Sequence, residues 1–76
     1  MSDVRVAIVF DPDDGPEQTL YAYLPPKDLD ALAAEVGKPE RAEEVLVIDA
    51  ALQPSGPYLQ RVFRWGRIKS IKRATS

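Results

Sequence analysis

The chain has 76 residues, a formal net charge of −2, and neither cysteine nor histidine. That length allows one domain near the lower limit for a single unstapled hydrophobic core. The missing residue types exclude disulfides, thiolate nucleophiles, thiolate or imidazole metal sites and the commonest general base, so stability must come from packing alone.

Val4, Val6, Ile8 and Phe10 alternate with Arg5, Ala7 and Val9. This period of two predicts a strand, central in its sheet because the second face is also largely apolar. The segment from Asp11 to Glu17 holds two prolines and an Asp-Gly pair, which continue neither helix nor sheet and predict an acidic turn. A second strand is expected from Thr19 to Leu24, with Leu20, Ala22 and Leu24 on one side and Tyr21 and Tyr23 on the other.

Pro25 and Pro26 stop that strand, and the spacing becomes helical: Leu29, Leu32, Ala33 and Val36 form a stripe to lie on the sheet. Asp28 and Asp30 suit the positive helix N-terminus, and Gly37, Lys38 and Pro39 provide the stop. Glu40 to Glu44 forms a charged connector. Val45 to Ile48 is a β-branched run suited to a buried strand, and Gln53 to Pro57 is the next turn. A last, long strand starts near Tyr58 with Leu59, Phe63 and Trp65 on one side, bends at Gly66, and carries Ile68 and Ile71 back to the core. Residues 72–76 are expected to be a flexible basic tail after a single domain spanning residues 1–71.

The expected class is therefore α+β, with elements in the order strand, strand, helix, strand, strand. A partly open SH3-like antiparallel barrel would bury one sheet face without a second helix; a flat four-stranded sheet crossed by one helix is the alternative. The apolar runs are far shorter than a membrane span and the opening residues lack signal-peptide character, so a cytoplasmic location is expected.

Charge is strongly divided. All twelve acids lie between Asp3 and Asp49, opposed there only by Arg5, Lys27, Lys38 and Arg41, a net −8; from Ala50 onward there are six cations and no acid, a net +6. Such asymmetry points to a charged binding face. No serine can meet a histidine and no phosphate-binding glycine loop is present, so an enzyme is not expected. The acidic loop also fails as an EF-hand, because counting from Asp11 the fifth position is Gly15 and the sixth Pro16; no metal or other cofactor is expected.

The candidate partner-binding residues are Arg61, Arg64, Trp65, Arg67, Lys69, Lys72 and Arg73. Three readings suit the cations: an acidic protein surface, nucleic acid, or docking against the chain's own acidic half. With Phe63 and Trp65 exposed, the segment would suit single-stranded DNA or RNA, arginines tracking phosphates and rings stacking on bases. With the rings buried, the cations would guard an edge strand. The acidic first half would repel nucleic acid, which favours a protein partner, met by a monomer. Tyr21, Tyr23 and Tyr58 are further candidate interface anchors.

The spacing Val4-x-Val6-x-Ile8-x-Phe10, Tyr21-Ala22-Tyr23 with Pro25 and Pro26, Val45-x-Val47, and Gly56-Pro57-Tyr58 leading to Val62 and Ile68 resembles that of short SH3-like proteins encoded by bacteriophages. The resemblance implies a noncatalytic regulator that binds a host complex such as RNA polymerase, as inhibitors and antiterminators of transcription do.

Overall fold

A computed structural model describes residues 3–74. Its strands are β1 (Val4–Phe10), β2 (Gln18–Leu24), β3 (Val45–Ala50), β4 (Leu59–Arg64) and β5 (Ile68–Arg73), and one helix, α1 (Pro26–Glu35), follows β2. The class is α+β with antiparallel pairing throughout. There are two sheets, ordered β2-β1-β5 and β3-β4.

Strand β1 is central, as its two-sided pattern predicts. Val6 and Ile8 are fully buried, and Ile8 lies opposite Leu20 of β2 and Ile71 of β5. Helix α1 begins with Pro26 at a position where the missing N–H is not needed. Its apolar stripe is narrower than the spacing predicts: Leu29 is buried, Leu32 and Val36 are half-buried, and Ala33 faces solvent. Beyond a 3₁₀ turn at Pro39–Arg41, Arg41 pairs with Glu35 of the helix at 3.1 Å and with Glu44 at 2.6 Å, fixing the path from α1 to β3.

The expected single bent strand at the C-terminal end is two strands in different sheets. A 3₁₀ turn at Trp65–Arg67 separates β4 from β5, because the chain must turn inward to bury Trp65. Three backbone bonds tie that turn to neighbouring segments: Trp65 N–H to Glu44 O, Gly66 N–H to Ala42 O, and Asp11 N–H to Arg67 O. Gly66 is the residue that permits it, since a Cβ there would lie 3.0 Å from the Ala42 carbonyl oxygen and 3.2 Å from the Ala42 Cβ.

Ile68 and Ile71 are three residues apart, yet both are buried. A bulge explains this: Val9 faces Ser70 and Phe10 faces Ile68, so Lys69 is left over and swings outward. The expected flexible tail is also corrected, because Lys72 and Arg73 belong to β5, opposite Ala7 and Val6, and the Ala74 N–H bonds to the Arg5 carbonyl. Thr75 and Ser76 lie outside the described residues.

The sheets meet through a pair of 2.8 Å backbone bonds between Tyr21 and Ala51, and they share one core in which Ile8, Leu20 and Ile71 pack with Phe63, Trp65 and Ile68. Among the described residues, no helix is long and apolar enough to cross a membrane.

Candidate functional site

The basic residues singled out from the sequence are divided between the two sheets. Arg61 and Arg64 are on β4, Arg67 is in the following turn, and Lys69, Lys72 and Arg73 are on β5 in the other sheet. Several are already engaged. Arg67 Nη2 lies 2.9 Å from Asp13 Oδ1, and Lys69 Nζ lies 3.0 Å from Glu17 Oε1 and 3.7 Å from Asp11 Oδ2. Arg61 Nε donates to the Ala50 carbonyl at 2.9 Å. Arg64, Lys72 and Arg73 make no ion pair among the described residues.

The acidic loop between β1 and β2 thus folds over the start of β5, so docking against the chain's own acidic half accounts for two of the six cations. Among the described residues no three acidic side chains are placed to hold a metal ion.

Hydrogen bonding to Glu17, reinforced by the charge of Asp11, holds the Lys69 ammonium above its ordinary pKa. Its stabilising effect is complete below the unfolded lysine value and is lost as pH rises through the higher folded value. We expect Lys69→Gln to lower the thermal midpoint slightly at neutral pH, and the gap from wild type to close as pH rises past the ordinary lysine value of about 10.4. Calorimetry across that range checks it; a gap independent of pH would mean that the ion pair contributes nothing.

Trp65 is packed in the core. It is 7 % exposed and Phe63 is 5 % exposed, with the Phe63 ring set edge-on to Phe10 at 5.1 Å. Neither ring is open to a base. The tyrosines form their own cluster, with Tyr23 and Tyr58 rings 5.4 Å apart and the Tyr58 hydroxyl donating to the Pro54 carbonyl at 2.6 Å. The Arg5 guanidinium, hydrogen-bonded to the Tyr23 hydroxyl, lowers that phenol's pKa.

What the sequence reading missed is an apolar surface on the β3-β4 sheet. Val45 faces Arg64 and Val47 faces Val62, so these side chains share the sheet's outer face; Val45, Val47 and Val62 are 54 %, 50 % and 64 % exposed. The run Val45 to Ile48 reads as a strand buried on both faces, whereas only Leu46 and Ile48 turn inward, each half-buried. Leu59, placed on the core side by its spacing, is also exposed where β4 begins. The run is apolar at every position, so no local alternation of apolar and polar residues signalled which side is exposed.

Beside this face a cleft of about 300 Å³ opens under the acidic loop, lined by Phe10, Pro12, Val45, Val62 and Phe63, with Arg64 and the Asp13–Arg67 pair at its rim. A second, more apolar groove of about 250 Å³ runs between α1 and β3, past Leu24, Leu32 and Leu46. Compared with protein-family models, curated proteins and solved structures, the chain matches none.

Proposed function

We propose that this protein is a noncatalytic cytoplasmic binding module that docks on a partner protein through the outer face of the β3-β4 sheet and the adjoining cleft. The observation that carries the reading is the trio Val45, Val47 and Val62, exposed together on one face of a two-stranded sheet beside Arg64, which makes no ion pair among the described residues. Contiguous apolar surface of this kind with a polar border marks interaction sites. The partner implied by the resemblance to phage-encoded regulators is a host complex such as RNA polymerase, whose transcription the protein would modulate.

The pairing of β1 with β5, the 3₁₀ turn between β4 and β5, and the Tyr21–Ala51 bridge support treating the two sheets as halves of a partly open SH3-like barrel with α1 inserted before β3. A nucleic-acid module is the weaker reading, because the buried rings offer no stacking platform and the unpaired cations are divided between two sheets.

The test is binding to purified bacterial RNA polymerase, followed by interferometry, together with a tagged pull-down from nuclease-treated bacterial lysate. Val62→Glu should weaken binding roughly tenfold or more, about 1.4 kcal/mol, with an unchanged melting temperature. Undiminished binding by that variant removes this face from the interface. Recovery of nucleic acid alone, lost after nuclease, replaces the protein-docking reading.

A further inference from the structure

We propose, resting on the docking reading above, that the free edge of β4 takes up an extended acidic-apolar segment of the partner protein as an added β-strand. Among the described residues, strand β4 is hydrogen-bonded to β3 alone. Opposed residues in an antiparallel pair alternate between exchanging backbone bonds with each other and directing them outward. The Trp65 N–H bond to Glu44 O places the bonded pairs at Glu44/Trp65, Leu46/Phe63, Ile48/Arg61 and Ala50/Leu59. Gln60, Val62 and Arg64 therefore point their N–H and C=O groups away from β3, and no other described element bonds to them.

Edges of this kind are normally shortened, bulged, interrupted by proline, covered or guarded by charge, and here Arg61 and Arg64 are the guard, which repels another basic edge but not an acidic one. This one is six residues long, carries no proline, and runs past an exposed Val62 to the mouth of the cleft.

Charge selects the occupant. In the cleft Asp13 is held by Arg67 and Asp11 faces Lys69, which leaves Arg64 without a carboxylate among the described residues, and β4 itself contains no acid. A second copy of this chain pairing edge to edge would gather Arg61 and Arg64 from both strands with no acid on either, which disfavours self-association. An acidic strand is complementary. Gln60, Val62 and Arg64 share the outer face, so the incoming segment should place a β-branched apolar residue against Val62 and a carboxylate two residues away against Arg64.

The probe is the peptide Thr-Glu-Thr-Val-Thr-Glu-Thr-Val, titrated into the full chain labelled with nitrogen-15. Amide shifts should centre on Gln60, Val62 and Arg64, and exchange of the Val62 amide should slow roughly tenfold or more. Replacing Glu by Lys in the peptide, or methylating its alternate backbone nitrogens, should abolish both effects. Val62→Pro removes an outward N–H while sparing the β3 ladder, and should abolish peptide binding; if that variant does not fold, the methylated peptide still decides.

Absence of any β4 response overturns strand addition. So does a response that survives backbone methylation, although side-chain docking on the valine face would then stand. Concentration-dependent self-association through Val62 overturns it in favour of a second copy. The docking reading fails separately, if Val62→Glu leaves partner affinity unchanged.

Discussion

Trp65→Ala is expected to destabilise the domain by about 3–5 kcal/mol, the usual cost of deleting a large buried aromatic ring. For a chain of 76 residues the total folding free energy is on the order of 4–11 kcal/mol, so the variant would be marginal at best. The cost should fall near the upper end because Trp65 sits where three parts of the structure join: its own N–H bonds to Glu44, the next residue bonds to Ala42, and Arg67 accepts from Asp11. Backbone tied on several sides cannot readily collapse into the space left by an indole. Trp65 is the only tryptophan, so unfolding must be followed by circular dichroism in urea instead of fluorescence. Trp65→Phe should recover much of the loss. A ring serving as a stacking platform would give the opposite pattern, with stability near wild type, and such a result would reverse the assignment of Trp65 to the core.

Most elements were legible in the sequence because local rules and tertiary packing agree there. The two-sided pattern of residues 4–10 defined a central strand, the acidic Pro-Gly segment a turn, and the spacing of Leu29, Leu32 and Val36 a helix with one covered face. What could not be read is non-local. Lys69 looks like an ordinary strand residue until the register shows that it is the extra one, and the bulge then buries both Ile68 and Ile71. Gly66 signals a bend, but only the approach of Ala42 to 3.0 Å explains why the chain changes sheets there.

The candidate site was legible in charge and illegible in place. Six cations without an acid invited a single basic face, whereas the fold divides them between sheets and uses Arg67 and Lys69 to hold the acidic loop. The valine surface went unseen for the converse reason. A β-branched run is as compatible with a two-sided buried strand as with an exposed hairpin face, and nothing local shows that β3 has only β4 as a ladder partner.

Ile8→Ala should cost about 2–5 kcal/mol and Ile8→Val about 0.5–1.5 kcal/mol, both read from urea midpoints at unchanged slope. Ile8 is wholly buried at the centre of β1 and packs between Leu20 and Ile71 on its two neighbouring strands. The more informative readout is where the loss appears. An isolated two-stranded sheet is marginally stable at best, so β3-β4 must draw its stability from the core it shares with β1 through Phe63 and Trp65. Amide exchange under native conditions should therefore show protection falling at Leu46 and Ile48 in β3 as well as at Val6 and Leu20, although β3 makes no ladder with β1. Protection of β3 left intact by Ile8→Ala would mean that the two sheets fold as separate units, and that the β3-β4 hairpin is held by contacts other than the common core.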